Sequence, residues 1–195
     1  IKSRVQSLMD MTRECLHTEE QVREELKQGD ASLLQLENYL ERTGCYPVYK
    51  NTKVTYYPLG DQAFTAMLEQ LEKAEHFIFL EYFIVEEGHM WGQILEILAR
   101  KASEGVEVRL MYDGTCEFST LPRNYPEKLR KLGIKCKMFA PIMPFVSTHY
   151  NYRDHRKIMV IDGRVSFTGG INLADEYINK KVKHGHWKDT AIMLQ

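Results

Sequence analysis

Apolar positions divide this chain into two kinds of pattern. Up to about residue 42 they recur at helical spacing among Glu, Gln and Arg: Val5, Leu8, Met9, Thr12, Cys15 and Leu16 form one stripe. Gly29-Asp30 interrupts it and Leu33 to Leu40 resumes it, which predicts two helices, the first ending near Gln28. They read as packing helices or as a stalk leading from a membrane anchor. Thr43-Gly44-Cys45-Tyr46-Pro47 is a turn. Beyond it, short apolar runs alternate with amphipathic ones. Strands are predicted at Val54–Tyr57, His76–Val85, Val106–Tyr112 and Ile134–Phe139. Helices are predicted from Asp61 to Glu75, with Phe64, Met67, Leu68 and Leu71 inward, from Gly92 to Glu104, and from Pro126 to Leu132. Val146–Tyr150 is a further short strand. Lys157–Ile161 and Val165–Thr168 form a hairpin around Asp162-Gly163, a good turn pair, and Asp189–Leu194 is the last strand. This alternation predicts an α/β fold: a mixed β-sheet sandwiched between helices over 43–195, with a helical N-terminal segment, 1–42.

Composition narrows the class. With 195 residues and 44% apolar content the chain can bury a real core. A net charge of −1 argues against a general nucleic-acid binder. Cys15, Cys45, Cys116 and Cys136 are widely spaced without a CxxC pair, so a reducing compartment is expected. No run of eighteen apolar residues and no signal peptide is present. The chain starts at Ile1 and stops at Gln195 soon after an apolar run, as an excised piece would.

The candidate chemistry lies in His155-Arg156-Lys157-Ile158-Met159-Val160-Ile161-Asp162, followed by Gly169-Gly170-Ile171-Asn172: H-x-K-x4-D-x6-G-G-x-N. His, Lys and Asp at three set positions arise by chance at on the order of one site in ten thousand. Period-two alternation puts Lys157 on the strand face of His155. An imidazole can attack phosphorus or, protonated, donate to a leaving alkoxide. An ammonium and the Asn172 amide can hold the phosphate oxygens. Gly169 and Gly170 allow close backbone approach. Asp162, five residues past Lys157 at the hairpin tip, reads as structural, through turn and neighbouring-half contacts. Glu81 and Asp113 interrupt or end apolar strands. They are either walls of the substrate site, with Arg153 or Lys157 as partner, or solvated strand-end acids. His149, His184 and His186 show no recurring metal-ligand spacing. Met138 to Val146 is an apolar, Pro-containing loop suited to acyl chains, a bilayer surface or burial under a further domain.

The motif resembles the HKD signature of the phospholipase D superfamily. Asn151-Tyr152-Arg153-Asp154-His155-Arg156-Lys157 and Thr168 to Tyr177 are similar to its bacterial cardiolipin synthase branch. Phe77 to Ile84 and Val106 to Gly114 match early strands of that branch, so the resemblance runs over about 48 to 195. It implies the first of two HKD halves, whose histidines meet across a pseudo-twofold and split the roles of nucleophile and acid. The second half would come from the same full-length chain or a homodimer partner. It implies that His155, Lys157, Asp162 and Asn172 are signature residues and that an acid in the later strand, Asp189, orients His155, with Glu81 the second choice. Glu81, Asp113, Gly169 and Gly170 would line the substrate. The activity implied is phosphatidyl transfer between two phosphatidylglycerols, giving cardiolipin and glycerol without metal or cofactor. A phospholipase D-type hydrolase or nuclease, or an inactive half-module, is the alternative. The implied setting is the cell membrane, with a cytoplasm-facing domain, a lipid surface as partner, no nucleic acid, and this piece soluble by itself.

Overall fold

A computed structural model describes residues 2–44, 46–142, 152–183 and 185–195. The predicted strand Val146–Tyr150, the loop from residue 143 onward, Cys45, His149, Asn151 and His184 lie outside the described residues. The chain forms two compact units, 1–52 and 53–195.

The first unit is helical: α1 (Lys2–Cys15), α2 (Glu20–Gln28) and α3 (Ala31–Gly44). Three helices replace the expected two, because the chain breaks after Leu16. Thr18 turns inward there, its hydroxyl accepting the Val48 N–H at 3.1 Å and its own N–H reaching Glu41 Oε1 at 3.2 Å. Arg23 ties α2 to α3 through Glu37, at 2.9 Å, and Glu41.

The second unit holds β1 (Val54–Tyr57), α4 (Gly60–Glu72), β2 (Phe77–Tyr82), α5 (His89–Ser103), β3 (Glu107–Asp113), α6 (Cys116–Ser119), α7 (Tyr125–Lys131), β4 (Lys135–Phe139), β5 (Lys157–Ile161), β6 (Val165–Gly169), a 3-10 turn (Asp175–Ile178) and β7 (Ala191–Leu194). Only α6 and the 3-10 turn have no counterpart in the sequence pattern; both are four residues long, below the length at which periodicity shows. The strands form one mixed seven-stranded sheet, ordered β1-β7-β6-β5-β2-β3-β4 and flanked by helices, as expected. Strands β2, β3 and β4 run parallel; β5, β6, β7 and β1 complete the sheet antiparallel.

Ile78, Leu80 and Tyr82 of β2, Val108, Leu110 and Tyr112 of β3, and Met159 and Ile161 of β5 are buried in one core with Phe64, Met67 and Leu71 of α4 and Met90, Trp91, Ile94 and Leu98 of α5. The opposite sheet face carries an open groove of about 720 Å³ lined in part by Phe79, Met111, Ile158 and Val160.

The hairpin that carries the motif is built as the sequence suggests. Asp162 and Gly163 both have positive φ, 54° and 67°, and Arg164 N–H closes the turn on the Ile161 carbonyl at 3.0 Å. Asp162 does more than turn. Its carboxylate accepts the N–H groups of Glu75, His76 and Phe77 at 2.8, 2.8 and 2.7 Å, just where β2 begins. Burial alone would push this carboxyl up; the three donors outweigh it and hold it below its ordinary value. Asp162→Ala leaves those donors without a charged acceptor and should cost about 3 kcal/mol, read as a lower urea midpoint. Because the folded pKa is depressed, the contribution of Asp162 should persist above pH 4 and vanish as acid protonates it, so wild type and variant should converge in acid, below the 3.8 of a free carboxyl.

Candidate active site

The motif strand β5 lies beside β2, with Lys157 paired to Tyr82 at the carboxyl end of β2. In open α/β sheets ligands collect outside the carboxyl ends of parallel strands. His155 sits just beyond that edge and is exposed. Lys157 is 5% exposed. Its Nζ donates to the His155 carbonyl at 2.7 Å and stands 5.3 Å from the centre of the Phe83 ring, against which the His155 imidazole also packs at 4.7 Å. One aromatic ring therefore touches both charged-group candidates. Burial lowers the Lys157 pKa, and the charges of Asp189 and Asp154 oppose that shift.

Gly170 and Asp189 explain each other. A Cβ on Gly170 would lie 1.9 Å from Asp189 Oδ1, and one on Gly169 would lie 2.3 Å from the Thr190 carbonyl oxygen. The glycines thus admit the approach to β7, and the group they admit is this carboxylate rather than open space for a phosphate. Asp189 Oδ1 also accepts the Thr190 N–H at 2.8 Å. Among the described residues no hydrogen bond joins the His155 ring to Asp189 or Glu81, which differs from the expected orienting contact. Asp189 is turned instead toward Gly170 and Thr190, close enough to Lys157 to act on its charge.

Asn172, 2% exposed, is placed beside this edge but is committed to the scaffold. Its Oδ1 accepts the Ile84 N–H at 3.0 Å and its Nδ2 donates to the Tyr177 hydroxyl at 2.8 Å. With Leu173, which bonds Ile84 and Glu86 through its backbone, it stitches the segment after β2 to the segment after β6. These two bonds take the amide oxygen and one of the two Nδ2 hydrogens, so the expected contact with a phosphate oxygen would have to come from the second hydrogen. Asp162, implied as a signature catalytic residue, is at the other end of β5, about 16 Å along a strand from Lys157. Its carboxylate serves its own β2 rather than the site or a neighbouring half.

Asp113, fully buried, ends β3 and accepts Thr115 N–H at 2.9 Å, Arg153 Nη1 at 3.2 Å and the Asp154 N–H at 3.1 Å. It therefore clamps the strand leading into His155, with Arg153 as the partner foreseen for it. Glu81 pairs with Ile158 and so faces the other side of the sheet from Lys157. There it meets Asp154 and Arg156, two residues that the motif carries but whose role the sequence did not show. Arg156 Nε stands 2.8 Å from both Glu81 Oε1 and Asp154 Oδ1. Its single hydrogen points to Asp154, which leaves Glu81 Oε1 buried without a hydrogen bond. Burial and the adjacent Asp154 push the Glu81 carboxyl up to about 7, against the pull of Arg156. Asp154 is held below its ordinary value: burial opposes this, but Glu81 and Arg156 prevail. The two carboxyls shift in opposite directions, as close carboxyls do. Alternation around His155 was the available signal, since it sends Asp154 and Arg156 to the face opposite Lys157.

Residues 67–185 match the family described as "Cardiolipin synthase, PLD-like domain". The chain belongs to this family. An uncharacterized protein of Streptococcus mutans is 63% identical over 170 residues, covering 87% of this chain and 37% of that protein. A cardiolipin synthase of Geobacillus kaustophilus is 40% identical over 155 residues, covering 79% of this chain and 31% of the enzyme. The chain thus spans about a third of the length of these relatives. Among solved structures, NucT from Helicobacter pylori superposes with a TM-score of 0.57 at 15% identity, over 74% of this chain and 86% of that one, which shows a shared fold. Among the described residues no helix is long and apolar enough to cross a membrane.

Two outcomes test this geometry. Gly170→Ala should displace the Asp189 carboxylate and so lower the Lys157 pKa further, read by NMR titration of the Lys157 ammonium; an unchanged Lys157 titration would show that Asp189 does not act on it from this position. Glu81 holds a proton in the fold that the unfolded chain loses above 4.5, so stability should fall as pH rises from about 4.5 to about 7 and then level. Glu81→Gln should flatten that slope in urea titrations run at stepped pH; an unchanged slope would place the proton elsewhere.

Proposed function

We propose that this chain is one half-site of a cardiolipin-forming phosphatidyltransferase acting at a membrane surface, with a second HKD half supplying the other histidine. The observation that supports it best is the exposed His155 imidazole beside the buried Lys157, with Asp189 close by. The imidazole is open to a phosphodiester, while the ammonium has little water to compete for its charge.

His155 Nε2 attacks phosphorus of one phosphatidylglycerol. The bond to the glycerol head group breaks, and glycerol leaves with a proton from the second histidine. The phosphatidyl group is then held on His155. A head-group hydroxyl of a second phosphatidylglycerol attacks, its proton passes to the second histidine, the P–N bond breaks, and cardiolipin departs. Lys157 balances charge on the phosphate throughout. Asp189 acts on Lys157, keeping that buried ammonium charged beside the phosphate. Two histidines are required because a neutral Nε2 that attacks has no proton to give. Asp113, Asn172 and Asp162 hold the frame. Glu81 holds a proton beside Arg156, on the far side of the strand from the transferred group.

In the full-length enzyme His155→Ala should lower cardiolipin formation by at least about a thousandfold. Enzyme given labelled phosphatidylglycerol and quenched in base should carry the label on His155; label on a histidine of the other half would reverse the two roles. Asp189→Asn should lower kcat by about a hundredfold with little change in the unfolding midpoint. Near-normal turnover would assign Asp189 to the Gly170 turn alone. A parallel assay for released phosphatidic acid separates transfer to lipid from transfer to water.

A further inference from the structure

A second cavity, of about 330 Å³, adjoins the His155–Lys157 cluster. Phe83 is common to both: its ring helps to line this cavity and also packs against His155 and under Lys157 Nζ. The far wall is made by Thr115, Ser119 and Thr120, from the turn and short helix that follow β3. Lys181 and Lys183 complete it, from the segment after the 3-10 turn. None of these five residues has a part in the transfer steps above.

Their chemistry is specific. Lys181 pairs with Glu86, which also lines the cavity, so those two charges cancel. Lys183 is held at 3.0 Å by Glu176, which is 2% exposed and outside the lining. Both ammoniums are therefore charge-balanced, but each carries three N–H donors and keeps some of them for a phosphodiester in the cavity. The Thr120 hydroxyl donates to the Val85 carbonyl at 2.7 Å, leaving its oxygen as an acceptor. The Ser119 hydroxyl makes only a long bond, 3.3 Å, to the Thr115 carbonyl, and the Thr115 hydroxyl has no hydrogen bond among the described residues. A cation facing a row of hydroxyls suits a ligand with a phosphate and vicinal hydroxyl groups. The volume is at the lower end for ligand pockets, enough for a head group and too little for acyl chains as well.

We propose that this cavity binds the phosphoglycerol head group of the acceptor phospholipid. This deepens the transferase reading above and rests on it for the identity of the acceptor. Lys183 takes the phosphodiester, Thr115 and Ser119 take glycerol hydroxyls, and Phe83 is the partition over which the terminal hydroxyl reaches the phosphorus on His155.

The test is an NMR titration of the 195-residue chain with short-chain phosphatidylglycerol below its micelle concentration, with sn-glycerol 3-phosphate, and with inorganic phosphate. Both glycerol compounds should shift the amides of Thr115, Ser119 and Lys183, and inorganic phosphate should bind there at least about tenfold more weakly. Lys183→Ala should weaken both glycerol compounds by about tenfold. Since it also strips Glu176 of its cation, Ser119→Ala, an exposed change, is the second variant and should weaken them while leaving phosphate unaffected. Shifts elsewhere, equal affinity for phosphate and glycerol phosphate, or binding indifferent to both substitutions would overturn the proposal. His155→Ala should bind the head group normally. Head-group binding as described, with no cardiolipin from the full-length enzyme, would leave this site standing and sink the transferase reading instead.

Discussion

The carboxylate of Asp162 gathers three backbone N–H groups at the start of β2, and the rest of the site depends on that junction. The strand β5 leaves the same turn and runs back along β2. With its far end held, the register of β5 on β2 has no freedom. A slip of one residue would exchange the faces of every side chain on the strand. Lys157 and His155 would then leave the Tyr82 side together, and Ile158 would take the place of Lys157 on the buried side of the sheet. The residue that appears least connected with chemistry therefore determines which side of the sheet carries the His155–Lys157 pair.

Register also gives the motif strand two sides with different electrostatics. Toward the helices, Lys157 is buried and feels Asp189. Toward the groove, Glu81, Asp154 and Arg156 form a compact trio in which Glu81 is pushed up and Asp154 held down. Asp113 connects the sides, because it holds both Arg153 and the Asp154 backbone. The strand entering His155 is thus restrained by charge and hydrogen bonds where ladder pairing has not yet begun.

The carboxyl ends of β2 and β3 gather what the whole-chain composition hides. A net charge of −1 is an average over the chain, whereas Lys157, Lys181 and Lys183 stand near one edge of the sheet. Local potential follows local groups, and here Asp189, Glu86 and Glu176 stand beside those ammoniums as counter-charges. The apolar Phe83 ring touches both His155 and Lys157. It also borders the hydroxyl-lined cavity.

Much of this was legible in the residues. Short apolar runs located every strand of the described sheet, and Asp162-Gly163 marked the hairpin, because these signals depend only on neighbours in the chain. The H-x-K spacing gave the shared face of His155 and Lys157 for the same reason. Contacts between distant segments were not legible. Asp162 reaches residues 85 to 87 positions earlier, and Asn172 reaches Ile84, 88 positions away. The structural reading of Asp162 found its partners only in the fold, and so did the two bonds that tie Asn172 into the frame. Gly170 read as room for a ligand, and only the fold put Asp189 against it. Glu81 read as an isolated acid on an apolar strand; its raised pKa exists only because β5 brings Asp154 alongside in a buried place. Local sequence determines which face a side chain takes. What stands opposite that face, and therefore its charge and its partners, was decided by the tertiary structure.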